Sequence, residues 1–198
     1  MPPSADDLRF MDRALELARR GAGRVSPNPL VGAVLVREGD VVGEGFHIYS
    51  DLKHAEILAI EKAGEAARGA TLYVNLEPCC HSGRTGPCTA AIEKAGVSRV
   101  VAGMQDPNPR VAGAGLQNLR EANIDVECGV REEACRELNE HFARYISQCV
   151  PFVTLKTAMT LDGKIAASGP DHEWITGEEA RACVHRLRHA HDALLTGV

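Results

Sequence analysis

The segment Leu76-Glu-Pro-Cys-Cys-His-Ser-Gly-Arg-Thr-Gly-Pro-Cys88 gathers three cysteines and a histidine into thirteen residues. It is entered from Ala70-Thr-Leu-Tyr-Val-Asn-Leu76, whose β-branched and aromatic residues read as a strand. It leaves into a helix from about Thr89 to Lys94, and Val97-Ser-Arg-Val-Val-Ala102 follows as a second strand. The cysteines therefore sit in the loop of a strand-loop-helix-strand unit, the repeating element of an α/β domain.

The same alternation extends in both directions. Upstream, Val31–Val36 and Val41–Gly45 read as two strands joined around Glu38-Gly-Asp40, a hairpin that makes the sheet mixed. A helix is expected from about Ala55 to Ala67. The first helix is capped by Ser4 with Asp7 three residues on, carries Leu8, Met11, Leu15 and Ala18 at helical spacing, and ends near Gly21 to Gly23. Downstream, Asp106-Pro-Asn-Pro109 is a loop by its turn chemistry. Leu116–Ala122 is helical, Ile124–Cys128 extended and Glu132–Tyr145 helical. Around Cys149-Val-Pro151 the pattern restarts: Phe152–Thr157 as a strand, Thr176–Ala190 as a helix, and Ala193–Thr196 opening another strand. Residues 1–147 are thus expected to form one α/β/α domain, and residues 150–198 the start of a second that cannot bury its own core.

The 198 residues are 44% hydrophobic and 25% charged, with a formal charge of −5, the profile of a water-soluble globular chain without a general pull toward nucleic acid or anionic membrane. No run is long enough to cross a bilayer, and Met1-Pro-Pro-Ser-Ala-Asp-Asp7 has neither the basic start nor the apolar stretch of a secretion signal. The cytoplasm is the expected location. Seven cysteines with no export signal disfavour a disulfide framework and favour metal binding or catalysis for any cluster.

The cluster needs one more element, His54-Ala-Glu56. His54, Cys79 and Cys88 offer one nitrogen and two sulfurs, a set that suits zinc with a fourth position left for water. Bound zinc lowers the pKa of its water toward about 7. Glu56, in the first turn of a helix, can fold over such an ion, take the water's proton and pass it to a leaving amine. His-x-Glu, then Pro-Cys and a second cysteine, is the set of parts used by zinc-dependent base deaminases, with glutamate as proton shuttle rather than ligand. Eight residues, Cys80 to Pro87, separate the two cysteines here instead of two. Gly83, Gly86 and Pro87 allow the reversal that returns Cys88 to the metal. Cys80 is a competing ligand, although neighbouring side chains on an extended loop point opposite ways.

This loop closely resembles the signature of the bifunctional deaminase/reductase family of riboflavin biosynthesis, as do Ser26-Pro-Asn-Pro-Leu-Val-Gly32, His54-Ala-Glu56 and Met104-Gln-Asp-Pro-Asn-Pro109. The matching segments run in the family's order from about residue 8 to 145. The resemblance implies a cytidine-deaminase-like three-layer α/β/α domain, with His54, Cys79 and Cys88 as ligands of one catalytic zinc and Glu56 as shuttle. It implies a small-molecule phosphoribosyl pyrimidine as substrate: removal of the 2-amino group of 2,5-diamino-6-(5-phosphoribosylamino)pyrimidin-4(3H)-one as ammonia. Asn28, His47 and His81 are then candidates to read the edge of the ring, and Arg84 to hold the ribose phosphate. Asp106 is a candidate for a substrate hydroxyl or a turn initiator. Before His54 the family's short Gly-containing turn and proline are replaced by Ile48-Tyr-Ser-Asp-Leu-Lys53.

Leu155-Lys-Thr-Ala-Met-Thr-Leu-Asp-Gly-Lys164 and Glu173-Trp-Ile-Thr176 resemble the opening of the family's dihydrofolate-reductase-like domain, which uses NADPH to reduce the ribosyl group. Matching positions put Ala158 and Trp174 at the cofactor, and His172 and Arg188 at the substrate, with a glycine-like residue expected at 158 and a serine at 172. Because that domain is longer than this segment in the family, no reductase turnover is expected from these residues. Two other readings stay open: a zinc deaminase for another base or nucleotide, and a noncatalytic zinc-binding scaffold. A homo-oligomer is the one protein partner the sequence leaves open; nucleic acid and membrane are not expected.

Overall fold

The computed structural model describes residues 2–166 and 174–196. The chain divides by its contacts at Pro151 into two compact units.

The first unit begins with helix α1, Ala5–Arg19, closed at its start by a capping box between Ser4 and Asp7. The hairpin follows as β1, Gly32–Arg37, and β2, Asp40–Phe46, paired antiparallel. Next come α2, Ala55–Ala63, β3, Thr71–Val74, α3, Cys88–Ala95, and β4, Arg99–Ala102. The unit closes with α4, Ala114–Glu121, β5, Asp125–Cys128, α5, Glu132–Leu138, and α6, Glu140–Gln148. The five strands form one mixed sheet in the order β2-β1-β3-β4-β5, with β1 antiparallel to both neighbours and β3, β4 and β5 mutually parallel.

Strand alternation sorts the core into two layers. Ala33, Leu35, Leu72 and Val74 pack with Ala55, Ala59, Ile92, Leu116 and Leu119, so α2, α3 and α4 cover one face. Val34, Val36, Tyr73 and Val101 pack with Phe10, Met11, Leu15 and Cys135, so α1 and α5 cover the other. The α/β/α sandwich with a mixed sheet agrees with the sequence reading.

Two details of this packing aim the site. A Cβ on Gly45 of β2 would lie 2.3 Å from the Ala55 carbonyl oxygen, so only glycine lets the strand press against the first turn of α2. The long helix expected over 132–145 is instead two, because Asn139 leaves the helical path (φ −111°, ψ 20°). Its buried amide is engaged by Leu30, accepting the Leu30 N–H at 2.8 Å and donating to the Leu30 carbonyl at 3.0 Å.

In the second unit α7 spans Glu178–Ala190. The strands expected at Phe152–Thr157 and Ala193–Thr196 are not formed; both stretches lack regular structure, and Val153, Leu155, Leu194 and Leu195 are exposed. A strand exists only through a neighbour's ladder, and these two runs make none with each other.

Candidate active site

Three local structures converge. His54 is the extended N-cap residue of α2 (φ −77°, ψ 160°), which places Ala55 and Glu56 in the helix's first turn. Cys88 opens α3 behind Pro87. Cys79 lies just beyond β3, and its Sγ accepts the Cys88 backbone N–H at 3.4 Å. His54 Nδ1 is 3.1 Å from Cys88 Sγ and 3.5 Å from Cys79 Sγ. One ligand atom from each of the three residues lies within 4.8 Å of the other two. Cys80 is outside this cluster, and burial pushes its thiol up.

The electrostatics fit a cation. The Cys79 thiol is pulled well below its ordinary range, first by the hydrogen bond from the Cys88 thiol and then by His54. Cys88 is pushed up by that same bond and by its burial. Glu56 is buried at 3% exposure beside them, and desolvation raises its carboxyl. Cys79 is thus disposed to ionise while Cys88 and Glu56 are held neutral, and a divalent ion would let both sulfurs ionise. Two helix N-termini meeting at the same point favour thiolate in the same direction.

A cavity of about 380 Å³ opens over His54, Glu56 and Cys79. Asn28, His47, His81, Arg84 and Asp106 all line it, so every residue proposed from sequence for the pyrimidine and its phosphate faces one space. His47 Nδ1 lies 2.9 Å from the Lys53 carbonyl, which can only accept, so Nδ1 carries the proton and Nε2 accepts from Asn28 Nδ2 at 2.9 Å. Burial lowers the His47 pKa and favours this neutral form. Asp106 initiates a turn, one of the two roles expected of it, from a position on the cavity wall. Its Oδ1 accepts the Asn108 N–H at 2.8 Å, a turn bond, while the carboxyl faces the cavity and is pushed up to about 6 by burial.

Several contributors are not among the sequence candidates. Phe142, Tyr145 and Ile146 bring α6 to the cavity wall, and Tyr49 and Leu52 bring the loop before His54 to its rim. Apolar spacing at 142, 145 and 146 marks a helical face, but not which partner it meets. Glu77 is buried at 3% and accepts four backbone N–H groups: Gly115 and Leu116 on Oε1 at 2.8 and 3.2 Å, Asp106 and Gly113 on Oε2, both at 2.9 Å. The carboxylate joins the cysteine loop to the Asp106 loop and to the start of α4. Gly115 is required there, since a Cβ on it would meet the Pro78 carbonyl oxygen at 2.1 Å.

In the second unit Ala158 is half-buried, and Trp174 is 68% exposed with the Arg181 guanidinium 5.0 Å from its ring centroid. Arg188 is exposed on α7, and His172 lies outside the described residues. No helix among the described residues is long and apolar enough to cross a membrane.

Comparison with known proteins agrees with this geometry. Residues 4–104 match the model of the cytidine and deoxycytidylate deaminase zinc-binding region, and residues 151–198 match that of the RibD C-terminal domain. The riboflavin biosynthesis protein RibD of Aquifex aeolicus is 52% identical over 97% of this chain and 54% of its own length. Acinetobacter baumannii RibD superposes with a TM-score of 0.85 at 46% identity, over 93% of this chain and 52% of that one. A Thermotoga maritima structure, described as a diaminohydroxyphosphoribosylaminopyrimidine deaminase/5-amino-6-(5-phosphoribosylamino)uracil reductase, gives a TM-score of 0.85 at 49% identity, over 92% of this chain and 53% of that one. The chain therefore spans about half the length of these relatives. A deaminase-type zinc-binding sandwich followed by a match to the RibD C-terminal domain, in one continuous chain, makes this protein a member of the RibD family of riboflavin biosynthesis.

Proposed function

We propose that the first unit catalyses the hydrolytic deamination of 2,5-diamino-6-(5-phosphoribosylamino)pyrimidin-4(3H)-one to 5-amino-6-(5-phosphoribosylamino)uracil and ammonia. The observation that carries this reading is the convergence of His54, Cys79 and Cys88 ligand atoms within 4.8 Å, with buried Glu56 two residues from the histidine. These three residues would hold zinc, which supplies Lewis acidity and makes water nucleophilic at neutral pH.

The chain's own groups do the remaining work. Glu56, whose carboxyl is raised by burial, takes a proton from the attacking water and delivers it to the departing amine. His47, with Nδ1 held by the Lys53 carbonyl and Nε2 accepting from Asn28, fixes the Asn28 amide, whose remaining polar atoms face the edge of the ring. Asp106 and His81 line the same cavity and would meet the substrate's other polar groups, and Arg84, exposed on the cysteine loop, takes the phosphate. The apolar residues of α6 exclude water from one side of the ring.

NADPH-dependent reduction is not assigned to residues 151–198; of the candidates there, Trp174 and Arg188 are exposed, Ala158 is half-buried and His172 lies outside the described residues. The deciding experiment replaces Glu56 with Gln. Ammonia release from the diaminopyrimidine should fall by at least about 10²-fold while zinc per chain stays the same. Undiminished turnover would remove the proton-shuttle role, and a deaminase preferring cytidine or guanine over the diaminopyrimidine would overturn the substrate.

A further inference from the structure

The rim of the cavity pairs two loops, one before His54 and one between the candidate cysteine ligands. Tyr49 stands in the Ile48–Lys53 segment that precedes His54, within the short helical turn Tyr49–Asp51. Its backbone N–H donates to the Arg24 carbonyl at 2.9 Å, which ties the turn to the loop after α1. Tyr49 is 40% exposed, and its ring lies under the Arg84 guanidinium, whose central carbon is 4.6 Å from the ring centroid. Both side chains line the cavity that holds Glu56 and the candidate zinc ligands.

Little else holds Arg84. It is exposed at the tip of the loop between Cys80 and Pro87. A Cβ on either Gly83 or Gly86 would meet nothing within 4 Å, so both glycines face open space. Among the described residues Arg84 forms no ion pair, so its charge is not committed to a carboxylate of this chain. A guanidinium stacked on an aromatic ring uses its face and keeps its N–H edge free, and that edge is what grips a phosphate in two places.

We infer that Tyr49 is a positioning residue for the substrate's phosphate: it seats Arg84 on the rim with its N–H edge turned to the cavity. This rests on the proposed role of Arg84. An exposed arginine must give up most of its rotamer freedom when it meets a phosphate, and a stacking partner removes part of that loss beforehand. The benefit belongs to phosphorylated ligands alone, because a ligand without the phosphate never calls on Arg84.

The test uses the 198-residue chain and two substrates, the phosphoribosyl diaminopyrimidine and its dephosphorylated counterpart. Product affinity by titration serves as a readout independent of turnover. Tyr49→Ala should raise KM and product Kd for the phosphorylated series about 2- to 5-fold, the range of an exposed cation–π contact, with the loss on KM rather than kcat. The dephosphorylated series should not respond. Tyr49→Phe, which keeps the ring, should restore the wild-type KM, and Tyr49→Leu, which keeps bulk without the π face, should behave as Ala does. Arg84→Ala should abolish the preference for phosphate, and adding Tyr49→Ala to it should cost nothing further. If Arg84→Ala leaves the preference intact, the Arg84 reading falls. If Arg84→Ala removes it but Tyr49→Ala does not reduce it, or if Leu rescues as well as Phe, the Tyr49 inference alone falls.

Discussion

Glu77 offers the sharpest test of how the site is held, because one buried carboxylate joins three segments. Its two oxygens accept the backbone N–H groups of Asp106, Gly113, Gly115 and Leu116 at 2.8 to 3.2 Å. Replacing Glu77 by Gln keeps the shape but turns one oxygen into an NH2 group. Whichever way the amide faces, two N–H donors then confront a donor. Hydrogen bonds to a charged acceptor contribute roughly 1.5–3 kcal/mol each, and the same carboxylate complements the N-terminus of α4, for about 3–5 kcal/mol in all. At ~3 °C per kcal/mol for a unit of this size, the midpoint of thermal unfolding should drop by about 10 °C or more. Calorimetry of the zinc-loaded wild type and variant measures the drop. Steady-state kinetics should also show a higher KM, since Glu77 fixes the backbone of Asp106 on the cavity wall. A shift under about 2 °C would mean that the four N–H groups find other partners, and the clamp would not exist.

Two further outcomes separate structural from chemical roles. Cys79→Ser should remove most of the zinc bound per chain while Cys80→Ser retains it, by metal analysis after dialysis; equal losses would remove the distinction between the two thiols. The second concerns Asp7, which burial alone would push up. The bonds from Arg99, Ser4 and Tyr73 outweigh that and hold its carboxyl well below the usual carboxylate range. Because the folded pKa lies below the unfolded ~3.9, the stabilisation is complete above about pH 5 and drains away as pH falls through the acid range. The stability difference between wild type and Asp7→Asn, about 2–4 kcal/mol near neutrality by urea titration, should therefore narrow steadily below about pH 4. A gap independent of pH would show that Arg99 gains nothing from the charge.

What the sequence could reveal followed from how local each constraint is. The hairpin, the first helix and the strand before the cysteines were legible because alternation, a capping box and a β-branched run each act within a few residues. The convergence of His54, Cys79 and Cys88 was legible for a different reason: few residue types suit a metal, and the spacing left few ways to bring these three together. The break at Asn139 was not legible, because its cause lies 109 residues away in the backbone of Leu30. The runs 152–157 and 193–196 have strand composition without strand structure, since composition sets a preference and a partner strand makes the ladder.

Glu77 marks the boundary between the two kinds of information. A carboxylate between Leu76 and Pro78, at the end of a buried strand, carries a warning in the sequence itself, because burying a charge without partners costs several kcal/mol. That argument predicts that partners exist. It cannot say that they are the amides of Asp106, Gly113, Gly115 and Leu116, because backbone donors have no sequence signature. The same holds for Tyr49 under Arg84 and for the face of α6. The chemistry of the site is written in residue types, whereas its precision depends on groups that any sequence supplies and only the fold can aim.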